Sequence, residues 1–174
     1  MKTGIEKFKN VIDSDICDLV IKYIEDNTDQ LENLEYTKTN NVICKQCILE
    51  QGCELDSLIY KAVNKVILMY KEKYPWFNAT GDTGYQVRKI TGATREHTDF
   101  THMSTDSRII SIIFGLNSDY ERGEFCFPYQ DFSTTVKRGE AIAFPVYFMY
   151  PHFVNEPIGY RYTINTWVEN ARDA

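Results

Sequence analysis

The chain has three histidines, His97, His102 and His152, and two of them fall in the stretch "REHTDFTH" with Asp99 between them. Imidazole and carboxylate are both metal ligands, so the spacing decides which of these groups can share an ion. Residues two apart on an extended strand point the same way, which makes His97 and Asp99 the near half of a site. His102 stands at an odd offset from His97 and follows Phe100 and Thr101, where the strand should end, so it reads as a loop residue. The third ligand is better sought at His152, remote in sequence but within reach if strands are brought together. Two histidines and one carboxylate form a facial triad, which holds Fe(II) on one side and leaves three coordination positions open. The plainer alternatives are a surface strand pair for His97 and Asp99, and a hydrogen-bonded core histidine for His152.

Arg161, nine positions after His152, bears on the choice of metal chemistry. A fixed guanidinium pairs bidentately with a carboxylate. Beside a metal, it would hold the far end of a dicarboxylate whose near end chelates the ion, and 2-oxoglutarate has that shape. A hydrolytic zinc site has no use for such a clamp, although two histidines and a carboxylate would also bind zinc. A structural ion pair is the other reading of Arg161. Arg88 and Arg95 flank the site, either as a solvated strand face or as contacts to an anionic or peptide substrate. Tyr147, Phe148 and Tyr150 precede His152 and would wall the pocket or fill the core, and Trp167 reads as core.

These side chains need elements to position them. "VIDSDICDLVIKYIEDN" is an amphipathic helix capped by Asp13 or Ser14, with Ile16, Leu19, Val20, Tyr23 and Ile24 as its buried stripe. "ELDSLIYKAVNKVILMYKEKYP" is a longer one, lined by Leu55, Leu58, Ile59, Ala62, Val63, Val66, Ile67 and Tyr70 and stopped by Pro75. Between them lies an irregular stretch with one strand. From Tyr85 onward the chain becomes short strands parted by turns at Asn117–Tyr120, Arg122–Gly123, Arg138–Gly139 and Pro157–Gly159. "RIISIIFGLN" is β-branched enough to be buried on both faces. Many short strands at this spacing predict an antiparallel barrel or jelly roll. The expected architecture is mainly β with N-terminal α-helices. One domain spans 1–174, with a helical support region over 1–84 and a jelly-roll core over 85–168.

A length of 174 residues suits one such domain. A net charge of −6 disfavours broad nucleic-acid binding, since a phosphate backbone repels an acidic surface. The N-terminus has no long apolar run, so neither a signal peptide nor a membrane span is expected, and the expected location is the cytoplasm. Five cysteines are present. Cys17 and Cys126 read as small buried hydrophobes, and Cys44, Cys47 and Cys53 as unligated thiols, with a zinc clamp at Cys44-x-x-Cys47 as the alternative. Oligomeric state is not legible.

The ordered set His97-Thr-Asp99, "YERGEFCFP", "VKRGEAIAFP", and His152 through Arg161 to Trp167 resembles the 2-oxoglutarate/Fe(II)-dependent dioxygenases, specifically the prolyl 4-hydroxylase-like branch. The resemblance covers roughly residues 85 to 168 and implies a double-stranded β-helix core supported by the helices. It implies Fe(II) bound by His97, Asp99 and His152, with Arg161 on the distal carboxylate of 2-oxoglutarate. O₂ would be the oxidant, with ascorbate stimulatory, and the reaction hydroxylation of a C–H bond. The branch implies a prolyl residue in a protein or peptide as substrate. A free amino acid or small metabolite is the alternative, and a non-enzymatic cupin-like metal-binding jelly roll the reading from another class. Two departures from the family pattern stand out. Arg122-Gly123-Glu124 occupies the place of a Gly-Gly-Glu turn. Counted back from Gly92, the usual co-substrate-binding tyrosine upstream of His-x-Asp falls at Lys89, with Tyr85 or Thr91 as its substitute.

Overall fold

The computed structural model describes residues 3–35, 42–100 and 107–170. In chain order the elements are β1 (Glu6–Phe8), α1 (Ser14–Asp26), β2 (Glu32–Glu35), β3 (Val42–Ile48), α2 (Glu54–Lys73), β4 (Gly81–Asp82), β5 (Gln86–Ile90), β6 (Arg108–Gly115), β7 (Glu121–Arg122), β8 (Phe125–Phe127), β9 (Phe132–Thr134), β10 (Ala141–Pro145), β11 (Phe153–Val154), β12 (Pro157–Ile158) and β13 (Arg161–Glu169). The main sheet runs β1-β10-β6-β13-β5-β3-β2, with β4 on the end of β13. A small sheet, β11-β8-β9, and the pair β12-β7 complete the strands.

The main sheet is buried on both faces because its strands carry apolar residues at consecutive positions. On β6, Ile112 and Phe114 face the helices, while Ile113 faces the small sheet. The helix side holds the larger core, in which Val20 and Ile24 of α1 and Ile59, Val63 and Val66 of α2 meet Val87, Phe114, Ala143 and Ile164. The other side holds Ile113, Ile142 and Phe144 against Phe125, Phe127 and Val154. Each such side chain contributes about 1.5–3 kcal/mol by leaving water. The small sheet therefore folds over one face of the large one as in a jelly roll, and the helices brace the other face.

The helices differ in detail from their sequence patterns. The buried stripe of α1 is Cys17, Val20 and Ile24, whereas Leu19 is exposed, one position off the core-facing line. The N-cap of α2 is Cys53, whose thiol accepts from the Asp56 N–H at 3.4 Å. Acids in the first turn of α2 and lysines in the last complement the helix dipole. The region before residue 85 is more than helical support. It supplies β1, β2, β3 and β4 to the main sheet, and β2 and β3 pair antiparallel where a single strand is expected. Cys44 and Cys47 on β3 turn to opposite sides, Cys44 to the pocket below and Cys47 to the helices, so strand alternation separates the two thiols. Cys126 is only half-buried. Among the described residues no helix is long and apolar enough to cross a membrane.

Candidate metal centre and its pocket

His97 and Asp99 do not lie on a regular strand. Their segment follows β5 and is fixed by a single antiparallel bridge between His97 and His152. The His97 N–H donates to the His152 carbonyl at 3.0 Å, and the His152 N–H returns the bond at 2.8 Å. One rung thus holds the two imidazoles side by side, with ring centroids 4.5 Å apart. Beyond Asp99, the Phe100 N–H donates to the Val146 carbonyl and pins the far end of the segment. His102 lies outside the described residues.

Asp99 Oδ1 stands 3.5 Å from His97 Nε2 and 3.9 Å from His152 Nε2. All three donor atoms lie within 4.8 Å of one another. Adjacent ligands held at about 2.1 Å around an octahedral ion are about 3 Å apart, so a small contraction of these side chains closes a facial set. Both rings are oriented by the same device. His97 Nδ1 is 2.8 Å from the Arg95 carbonyl, and His152 Nδ1 is 3.2 Å from the Tyr150 carbonyl, in each case two residues back. A carbonyl only accepts, so Nδ1 carries the proton and Nε2 offers its lone pair. The Ser111 hydroxyl donates to Asp99 Oδ2 at 2.5 Å, which leaves Oδ1 for an ion. Burial pushes the Asp99 carboxyl up, but the neighbouring His97 and His152 rings and the Ser111 hydroxyl bond outweigh it and hold the group well below the usual carboxylate range. His152 is 3% exposed and packed among Phe125, Phe127 and Phe144, and this burial depresses its pKa.

The three groups open onto a cavity of about 510 Å³ that also contains Arg161. Arg161 begins β13, is 2% exposed, and lies 4.8 Å over the Phe125 ring. Its Nε and Nη2 are buried and have no hydrogen-bond partner. Burial lowers its pKa while Tyr120 opposes the shift, yet a guanidinium stays protonated in any protein. Unsatisfied donors on a buried cation call for an acceptor, and an anionic ligand supplies one. The donor set therefore fits both groups the sequence implies: a divalent iron at the triad and a carboxylate at Arg161. The turn that covers Arg161 holds Arg122 at φ 60° and Gly123 at φ 72°. Arg122 adopts a left-handed conformation that glycine takes freely, secured by β7–β12 pairing opposite Pro157.

Tyr85 and Lys89 are not brought to this pocket. Val87 and Lys89 of β5, and Tyr85 just before it, face the helices, whereas Arg88 and Ile90 face the cavity. The Tyr85 hydroxyl donates to Asp82 Oδ2 at 3.0 Å inside the helix-side core. Lys89 pairs with Glu25 of α1 at 2.9 Å and lies 4.3 Å over Tyr160. The β5 residues that line the cavity are Arg88 and Ile90. Asn165 and Trp167 also line it, at alternate positions after Arg161, so Trp167 is a half-buried wall residue rather than core. Strand alternation from Arg161 was the signal that could have found them. Tyr147 and Tyr150 line a different groove with Tyr70, Tyr74 and Trp76, and Phe148 is exposed.

Residues 85–169 match the family model described as the 2OG-Fe(II) oxygenase superfamily. A search of curated protein sequences finds no match. Among solved structures, a Trichoplax adhaerens prolyl hydroxylase in complex with a hypoxia inducible factor oxygen degradation domain peptide fragment is 18% identical, with TM-score 0.74, over 97% of this chain and 84% of that one. A viral collagen prolyl hydroxylase from Paramecium Bursaria Chlorella virus-1, solved with 2OG, is 18% identical with TM-score 0.76 over 97% of each chain. A Pseudomonas putida prolyl-4-hydroxylase is 13% identical with TM-score 0.77 over 97% of this chain and 94% of that one. The chain belongs to the 2OG-Fe(II) oxygenase superfamily and has the jelly-roll fold of its prolyl hydroxylases. It is a dioxygenase whose cofactors are Fe(II) and 2-oxoglutarate.

Proposed function

We propose that this dioxygenase hydroxylates a prolyl residue in a protein or peptide, with His97, Asp99 and His152 as the iron ligands and Arg161 as the clamp on 2-oxoglutarate. The observation that carries the site assignment is the pair of orphaned donors on buried Arg161, facing the same cavity as the triad. The prolyl substrate is supported by the fold neighbours, each of which is a prolyl hydroxylase.

Bound iron and 2-oxoglutarate together supply the oxidising chemistry, in which O₂ delivers one atom to the substrate C–H bond and one to the succinate formed with CO₂. The chain supplies placement. The Nδ1–H bonds to backbone carbonyls fix both ring orientations before any ion arrives, so little order is lost on binding. Ser111 occupies Asp99 Oδ2 and directs binding through Oδ1. Arg161 fixes the distal carboxylate, and its unmet donors gain their bonds only when the co-substrate is present. Phe125, Phe127 and Phe144 exclude water from the His152 side. Thr94, Arg95 and Thr98 lie at the more open end, where a substrate loop can enter.

The test is succinate release from 2-oxoglutarate with Fe(II) and ascorbate, in the presence of proline-containing peptides, with mass spectrometry of the peptides. A gain of one oxygen atom on proline is expected. Succinate release stimulated only by compounds lacking proline would overturn the substrate assignment.

A further inference from the structure

The cavity carries more positive charge than its co-substrate can use. Its lining includes Arg88, Arg95 and Arg161 against a single carboxylate, Asp99, in a chain whose net charge is −6. A divalent iron and dianionic 2-oxoglutarate cancel one another, and Asp99 offsets one arginine. The loaded pocket is then left with two arginines in excess. Among the described residues neither Arg88 nor Arg95 has a carboxylate partner.

Arg88 is the deeper of the two. Its Nε is buried without a hydrogen-bond partner, and its Nη2 donates to Gln86 Oε1 at 2.6 Å. That contact sets its direction. On the β5–β13 ladder Arg161 is opposite Ile90, Arg88 opposite Thr163, and Gln86 opposite Asn165. The Arg88 guanidinium therefore leans along the strand away from the Arg161 end. On the same side, Trp167 follows Asn165 on the cavity face, and its Nε1 is also buried without a partner. Two unmet donors, one of them cationic, thus share the wall that the proposed 2-oxoglutarate clamp does not occupy. A buried guanidinium N–H without an acceptor is costly, and a carboxylate relieves it.

We infer that the substrate oxidised in this pocket bears a carboxylate close to the target carbon, and that Arg88 receives it, with Arg95 adding attraction at the entrance. This rests on the oxygenase reading of the site and narrows its substrate. The acid is either the α-carboxylate of a free or C-terminal residue or the side chain of an acidic residue beside the target.

The test uses the whole protein loaded with Mn(II) and 2-oxoglutarate, which permits binding to be measured by calorimetry without turnover. The probes are N-acetyl amino acids, proline included, against their amides, and acetyl-Pro-Glu-amide against acetyl-Pro-Gln-amide. At least one acid should bind about tenfold more tightly than its neutral partner, as a charge-assisted pair requires. Preference among the N-acetyl acids identifies an α-carboxylate, and preference for the Glu peptide a side chain. Arg88→Gln should erase the preference and Arg88→Lys restore part of it, with thermal unfolding confirming that both variants fold. Their loss of 2-oxoglutarate affinity should fall far short of that in Arg161→Met. Equal binding of acids and amides, or no binding of either, overturns the inference. So does an Arg88→Gln variant that loses 2-oxoglutarate as severely as Arg161→Met, because Arg88 would then be part of the co-substrate clamp. A wild-type protein that fails to bind 2-oxoglutarate with Mn(II) removes the oxygenase reading and this inference with it.

Discussion

Replacing Arg161 with methionine separates a ligand clamp from a structural ion, because the two roles predict opposite effects on the ligand-free protein. Arg161 is 2% exposed, and two of its nitrogens lack partners. Each would gain a charge-assisted bond to the distal carboxylate, worth about 1.5–3 kcal/mol. Two bonds at the low end give about 3 kcal/mol, or about 150-fold in Kd. At a 2-oxoglutarate concentration 100 times the wild-type Kd, ligand stabilises the wild type by about 2.7 kcal/mol and the variant by about 0.3 kcal/mol. For a chain of this size 1 kcal/mol moves Tm by about 2–4 °C, so a ligand shift of about 5–11 °C should shrink to about 1 °C. Methionine fills much of the same space beside Phe125 and removes an unpaired buried charge. The ligand-free Tm should therefore hold or rise. Differential scanning fluorimetry with Mn(II), with and without 2-oxoglutarate, reads both quantities. A variant that keeps the full ligand shift would refute the clamp. One whose ligand-free Tm collapses would show that Arg161 is held by the protein rather than waiting for a ligand.

Three further outcomes follow from the same geometry. Ser111→Ala removes the bond to Asp99 Oδ2 and should weaken metal affinity about 10–100-fold in a metal titration, with little change in fold. Gly115→Ala would place a Cβ 2.3 Å from the Val136 carbonyl oxygen and 2.5 Å from that of Lys137. Backbone must move, so a loss of about 3 kcal/mol or more is expected in urea unfolding. Lys89→Ala and Tyr85→Phe alter the helix side of β5, and each should leave the 2-oxoglutarate Kd within about twofold of wild type. A tenfold loss in either would show that its side chain reaches the pocket.

The metal ligands were legible because they are scarce: three histidines, one Asp two positions from the first, and an arginine at a fixed offset from the last. The element that holds them was not. A single bridge to His152 replaces the expected strand, and nothing local in "REHTDFTH" encodes a pairing with a residue so remote. The jelly roll was legible from β-branched runs and turns. The N-terminal strands were not, because β1 is short and β2–β3 gains its order from pairing with β5. Lys89 and Tyr85 were misplaced because the family slot was carried over by spacing alone. A shift of one residue on a strand reverses every face, and the same rule read forward from Arg161 leads to Thr163, Asn165 and Trp167. Leu19 failed for a related reason, since helical spacing alone does not fix which edge of an apolar stripe meets the core.

The most direct measurement is a crystal structure of the protein with Mn(II) and 2-oxoglutarate bound. One ion should be ligated by His97 Nε2, Asp99 Oδ1 and His152 Nε2, with the distal carboxylate of 2-oxoglutarate on the Arg161 guanidinium and out of contact with Arg88 on the neighbouring wall. An ion bound elsewhere, or a 2-oxoglutarate whose distal carboxylate sits on a group other than Arg161, would contradict this assignment.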